Sequence, residues 1–409
     1  MNETENSLQK RPARKDFLKS PKALRMYFTL VFLGFAYTIV HSSYVATVPL
    51  YIQDHNQNSS TVGFVAAALA FGSIAFRIIF AGFVDRMPEK PLLLFANVLL
   101  LISSALMLST PANISLMLPR LAQGLAMATF FTIAFAWIGR NSNVGNRGRL
   151  FGIFGFVTAV AMMAAPPASL WLYDRMGMIA LVWANLIVCG AAAIATIRWT
   201  TGARPGEGAE VALPPAAQCS STGNGRLDWH AIALVCGCIT LSAAILGVAQ
   251  TFMPYIAQAK QYPFLGVLLA TFGLGLAAAR FIAGSLTDKL GRAPVAIAGA
   301  AMLAGTNLGF WWIDPPIFMP FLSLAFGIGM GTLNASLMAW LADLAEGPNQ
   351  GSILSYSAVI SDVGIAMTVV AIGYLAAGDG LRVVASSSLL ALAALTLTLI
   401  AARKIRVTF

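Results

Sequence analysis

The chain has 409 residues, 58% of them hydrophobic and only 10% charged, with a mean hydropathy of +0.76. A soluble chain carries about 25% charged residues, so there is too little polar surface here to cover a water-soluble globule, and the expected surroundings are a lipid bilayer. The formal net charge of +10 invites nucleic acid as a partner, but the placement of the basic residues gives it another meaning.

Residues 1–23 are polar and basic and are expected to form a cytoplasmic tail. The apolar run that follows is too long for a signal peptide and lacks a small-residue cleavage pattern, so it reads as a retained helix. About 20 apolar residues are needed to cross a bilayer. Twelve such runs lie near 24–51, 61–84, 91–110, 112–138, 150–173 and 178–198, then 230–257, 264–287, 293–313, 317–342, 351–377 and 381–402. They are expected to be helices, because backbone groups in lipid must be satisfied within their own segment. Breakers mark the short connectors: Pro88, Pro111, Asp314-Pro315-Pro316 and Gly378-Asp379-Gly380. Residues 199–229 have the Gly, Pro, Ala and Ser content of a flexible linker. The expected organisation is therefore a tail (1–23), a six-helix bundle (24–198), a cytoplasmic linker (199–229), a second six-helix bundle (230–402) and a tail (403–409).

With both ends cytoplasmic, 20 of the 26 Lys and Arg residues fall on the cytoplasmic side, in the tails, the linker and the even-to-odd loops. Outside loops keep only Arg175, Lys260 and Arg382. The positive-inside rule accounts for the charge, and no nucleic acid is required. Cys189, Cys219, Cys236 and Cys238 show neither zinc-ligand spacing nor an ordinary disulfide pattern, and read as small apolar residues. No metal or cofactor is expected.

RIIFAGFVDRMPEK at 77–90 recurs as RFIAGSLTDKLGR at 280–292. An offset of 203 also matches Gly124 with Gly327, Trp137 with Trp340 and Gly148 with Gly351. Six helices return the chain to its starting orientation, so the halves are parallel repeats about an axis along the membrane normal.

Gly284-Ser-Leu-Thr-Asp288-Lys289-Leu-Gly291-Arg292 resembles the G-x-x-x-D-[RK]-x-G-R motif of the major facilitator superfamily, and Arg120-Leu-Ala-Gln123-Gly124 resembles its fourth-helix R-x-x-Q-G motif. The likeness runs from about residue 24 to the end. It implies an all-α integral membrane fold of twelve transmembrane helices in two pseudo-symmetric bundles. It also implies alternating-access transport of a small-molecule substrate, with protons as the coupling partner. The expected setting is the bacterial inner membrane, as a monomer. The first copy departs from the motif, with Ala81 for the first Gly and Pro88-Glu89 for Gly-Arg. In the family the motif Asp meets the positive N-terminal end of a helix in the other half, a conformational latch at the cytoplasmic side. The latch residues here are Asp85, Arg86, Gly284, Asp288, Lys289, Gly291 and Arg292. Because the copies are unequal, Asp85→Asn and Asp288→Asn are expected to slow transport to different degrees; equal, negligible effects in a flux assay would remove the latch.

Ionisable groups inside a membrane are costly and default to function. His41, Arg77, Arg120, Arg280 and Asp362 are the candidates. Of the sixteen Asp and Glu residues, Asp362 alone lies deep in a predicted helix, eleven residues from Gly351, or roughly 16 Å in. Facing helices in the family make Arg77 its first partner and Arg280 its second. Two readings of Asp362 stand: a proton carrier, or one half of a fixed ion pair. His41 is either a second proton site or a hydrogen-bonded packing residue. In the family, helices one, four, seven and ten line the cavity, which implies a substrate pool of Tyr44, Arg120, Gln123, Thr132, Gln250, Tyr255 and Asn334. On the fifth helix Ala161-Met-Met-Ala-Ala165-Pro166-Pro167 keeps the Pro of the antiporter pattern G-x3-G-P and loses its glycines. Export of a drug-like compound or of a secreted metabolite such as a metallophore is the leading reading, and proton-coupled import of a nutrient or siderophore is its rival. A sensor or intramembrane enzyme is disfavoured, since no H-E-x-x-H, Gly-x-Ser-x-Gly or paired intramembrane carboxylates occur.

Overall fold

The computed structural model describes residues 21–80, 88–141, 144–198, 228–313, 315–345, 350–376 and 379–407. Asp85, Arg86 and nearly all of the 199–229 segment lie outside the described residues, as do the side chains of Arg140, Arg280, Gly284 and Asp288. Helices α1 (Pro21–Asp54), α2 (Ser59–Phe80), α3 (Glu89–Ser109), α4 (Met117–Asn141) and α5 (Val144–Ile197) build the first bundle. The second holds α6 (Trp229–Ala259), α7 (Leu265–Leu290), α8 (Arg292–Trp312), α9 (Met319–Leu344), α10 (Gln350–Ala376) and α11 (Gly380–Val407).

At 54 residues α5 would reach roughly 80 Å if straight, far beyond a ~30 Å hydrocarbon layer. It breaks at Gly177, whose φ of 78° suits a residue without a β-carbon. The arm 144–176 runs alongside α1, with the Tyr27 hydroxyl donating to the Leu150 carbonyl and the Tyr173 hydroxyl to Asp54. The arm 178–197 runs back against α3, where Asn97 donates to Thr196 and Ser104 meets Cys189. The two arms are the fifth and sixth of twelve membrane-crossing rods, and the expected boundary at 174–177 shrinks to one glycine.

The repeat holds at the level of single contacts. Gly72 faces the Leu121 carbonyl and Gly124 the Leu69 carbonyl, so that α2 and α4 touch through backbone. At the same offset of 203 residues, Gly275 faces Leu324 and Gly327 faces Phe272 between α7 and α9. Small residues at these crossings let helices approach where no hydrophobic force acts between them.

The two broadest seams between the bundles are α2 on α10 and α5 on α7, with a smaller contact of α1 on α6. A β-carbon on Gly63 would lie 2.7 Å from the Val369 carbonyl oxygen and 3.4 Å from the Val370 Cα. Its counterpart Gly266 would meet the Cα of Pro167, the counterpart of Val370, at 3.0 Å. A β-carbon on Gly273 would lie 2.8 Å from the Met163 Cα, and the Ser59 hydroxyl donates to the Gly373 carbonyl at 2.8 Å. All these approaches lie toward the face that carries the α1–α2 turn, called here the turn face. The opposite, basic face carries Lys90, Arg149, Lys289, Arg292, Arg403 and Lys404 at helix ends.

Candidate functional site

Deeper along the α2–α10 seam, glycine and alanine give way to charge. Ala67, Ala70 and Ala366 form a tightly packed patch, and one turn further lie Ser73, Arg77 and Asp362. The Ser73 hydroxyl donates to Asp362 Oδ2 at 2.7 Å. Arg77 Nε stands 3.2 Å from the same oxygen and 3.4 Å from Ser73 Oγ. The spacing of Ser73 and Arg77, four residues apart on a helix, puts both on the face that meets α10. The Asp362 and Arg77 side chains keep 19% and 31% of their surface open, so the pair is shielded without being sealed. It joins one bundle to the other.

The second seam lacks this charge. The position equivalent to Asp362 is Ala159, buried at 1%. Arg280 is the counterpart of Arg77 and sits on α7, its side chain outside the described residues. Among the described residues, the α2–α10 seam alone brings an Asp opposite an Arg.

A second group of polar residues lies inside the first bundle. Arg120 and Gln123 on α4 are 3% and 0% exposed, and Arg120 Nη1 donates to Gln123 Oε1 at 2.7 Å. His41 and Tyr44 on α1 stand near Arg120, and Ser104 and Asn185 approach the Tyr44 hydroxyl without closing a well-formed hydrogen bond. Thr47 turns back to the Ser43 carbonyl. Thr132, Gln250 and Asn334 are partly exposed on α4, α6 and α9, while Tyr255 is buried with an unpaired hydroxyl. The structure brings His41, Tyr44, Arg120 and Gln123 into one neighbourhood.

At the basic face, Gly291 caps α7 with φ 88°, and Arg292 opens α8. Lys289 is exposed. Arg292 Nε reaches Asp343 Oδ2 on α9 at 2.9 Å, an ion pair within the second bundle. Asp343 is absent from the residues singled out by sequence, although the 203 offset carries its signal: Glu89 and Arg140 occupy the positions of Arg292 and Asp343 with the charges exchanged. Since the Arg292 and Asp343 side chains are 17% and 37% exposed, Asp343→Asn is expected to cost about 1 kcal/mol or less, seen as a small drop in melting temperature with flux retained. Ser73, Ser104 and Asn185 are likewise not singled out by the sequence; Ser73 is marked only by preceding Arg77 by one turn. Among the described residues no His, Cys, Asp or Glu cluster is arranged to hold a metal ion.

The family model described as Major Facilitator Superfamily matches residues 30–218 and 232–407, almost the whole chain. The chain belongs to the major facilitator superfamily. It is a membrane transporter of this fold, and small-molecule transport is the family's work. A chloramphenicol resistance protein of Streptomyces lividans is 24% identical over 322 residues, which is 78% of this chain and 81% of that protein. Among solved structures, a bacterial homologue of the human lysosomal transporter Spinster, inward-facing and unoccupied, superposes with a TM-score of 0.74 at 12% identity, covering 94% of this chain and 98% of its own. The nucleoside transporter NupG gives 0.70 at 11% identity, covering 91% and 99%. The human organic anion transporter MFSD10 (TETRAN) gives 0.67 at 12% identity, covering 93% and 100%. At these identities the structural likeness speaks to the fold.

Proposed function

We propose that this superfamily member is a proton-coupled exporter of a small organic solute, with Asp362 as the proton carrier. The observation that carries the reading is the Ser73–Arg77–Asp362 cluster at the contact between bundles. Protonation of Asp362 removes its attraction to Arg77 and so weakens the α2–α10 seam. Loss of the proton restores the attraction. A proton taken from one side thus biases which face of the transporter closes, which is what coupling requires. The position equivalent to Asp362 on the second seam is Ala159, so the proposed proton switch acts at the α2–α10 contact.

Export is favoured over import by the likeness to the chloramphenicol resistance protein. The basic face is taken as cytoplasmic on the positive-inside rule, with both termini inside and the chain in a bacterial inner membrane as a monomer. Residues 24–198 and 230–402 are the two rocking halves, and 199–229 is their tether. On this orientation the glycine contacts at the turn face close the outer side.

Chloramphenicol is the first probe. Cells expressing the protein are expected to accumulate less labelled chloramphenicol than cells without it, and a protonophore is expected to abolish the difference. Greater accumulation in expressing cells would overturn export in favour of uptake. A difference that survives the protonophore would overturn proton coupling.

A further inference from the structure

We infer that the buried polar cluster between α1, α4 and the second arm of α5 is a binding site for a compact monovalent anion, with Arg120 supplying the charge and Gln123, Asn185 and Tyr44 the neutral donors. The two intramembrane arginines whose side chains are described differ in one respect. Arg77 has Asp362. Arg120 is more deeply buried, yet has no ion pair among the described residues; the only side chain it hydrogen-bonds there is the neutral Gln123. A guanidinium in this position costs several kcal/mol unless something negative compensates it.

The unsatisfied atoms around it say what is missing. Arg120 Nε, Gln123 Nε2 and Asn185 Nδ2 are buried and unpartnered, and all three are donors. The Tyr44 hydroxyl, buried and also unpartnered, is free to donate as well. Gln123 Oε1 already takes the Arg120 Nη1 proton and keeps one lone pair, too little acceptor capacity for the whole set. Buried polar groups in folded proteins are almost always paired. His41 Nδ1 and the Tyr44 oxygen are the neutral acceptors at hand, and neither carries the negative charge that a donor-rich set about an uncompensated guanidinium calls for; the set is complementary to an anion. Water would satisfy some N–H groups and leave the charge. Room is short: Arg120, Gln123 and Asn185 are 3%, 0% and 2% exposed, and the Tyr44 side chain is fully buried. A small ion or a carboxylate fits this setting, and a bulky polyanion does not.

Such an anion has two sources. It is either an inorganic ion from solution, or the carboxylate of a transported solute. The second source deepens the proposed function and rests on it; the first does not require transport at all.

The test uses the full chain in nanodiscs and reads its melting temperature, so it needs no flux. Potassium 2-(N-morpholino)ethanesulfonate provides a bulky baseline anion without a carboxylate at constant ionic strength, and potassium chloride or potassium acetate is titrated in. A ligand that binds only the folded state raises the melting temperature saturably, and a shift of several degrees is expected. A response to both anions assigns the site to a solution ion; a response to acetate alone assigns it to a carboxylate. Arg120→Gln is expected to abolish the response. Should that variant fail to fold, Gln123→Glu decides, because it places a permanent carboxylate beside Arg120. It is expected to raise the melting temperature in the sulfonate baseline and to erase the response to added anion. No anion-dependent shift in the wild type, or a shift that persists unchanged in Gln123→Glu, would overturn the inference. Chloramphenicol export could fail while this shift is seen, and the reverse, so the two proposals fall separately.

Discussion

Asp362→Asn is expected to abolish transport driven by a pH gradient while leaving the protein folded. Asn keeps the size of Asp and still accepts from Ser73, so packing at the seam is conserved. The variant cannot cycle a proton, and it leaves Arg77 without its charge partner. An uncompensated Arg within a membrane costs about 2.5–3.5 kcal/mol, enough for a roughly hundredfold shift between conformations. The double variant Arg77→Gln with Asp362→Asn separates the two roles of the carboxylate. It removes both charges and so relieves the unpaired Arg. If Asp362 is only half of a structural pair, the double variant recovers gradient-driven flux in proteoliposomes. On the present account it recovers stability and solute exchange without a gradient, and gradient-driven flux stays lost. Recovery of driven flux would remove the carrier role.

The second large effect is on folding. Gly124→Val and Gly327→Val are expected to give little or no folded protein, each by forcing apart a crossing where helices touch through backbone. Overpacking a core costs typically about 1–3 kcal/mol when side chains can yield. Here the opposing groups are the Leu69 and Phe272 carbonyls, which cannot rotate away, so the cost is expected to exceed that range. Gly155 is the control. It is a helical glycine with no neighbouring atom within 4 Å of the point a β-carbon would occupy, so Gly155→Ala is expected to be neutral or to stabilise by up to about 1 kcal/mol. Monodispersity in detergent and melting temperature read both outcomes. Normal folding of Gly124→Val would contradict the close crossing of α2 and α4.

These two results draw on parts of the molecule that were legible to different degrees. The helices follow from the length of the apolar runs, and the pairing of halves follows from Arg77/Arg280, Asp85/Asp288 and Trp137/Trp340 at one offset. Arg77 is visible as a partner for Asp362 because only one carboxylate lies deep in a predicted helix. Ser73 is not visible, since serines are frequent in these helices and only the α10 contact singles it out. The Gly177 break hides for a related reason: a single glycine among many gives no sign that its φ is positive. The Arg120 neighbourhood is half legible. The motif marks Arg120 and Gln123, while Asn185 and Ser104 come from helices whose rotation about their own axes no apolar run can fix. Asp343 stands at a helix end, where acidic residues are ordinary, and only the exchanged charges of Glu89 and Arg140 point to it.

The central claim is that the protonation of Asp362 controls how the bundles close against each other. The most direct measurement is the distance between spin labels at Gln57 and Ile317, exposed positions on the turn face of the two bundles, in a variant without native cysteines in nanodiscs. With Asp362 present, the distance distribution is expected to change its populations as pH is lowered. With Asp362→Asn it is expected to stay fixed across the same range. An identical pH response in the two proteins would contradict the account.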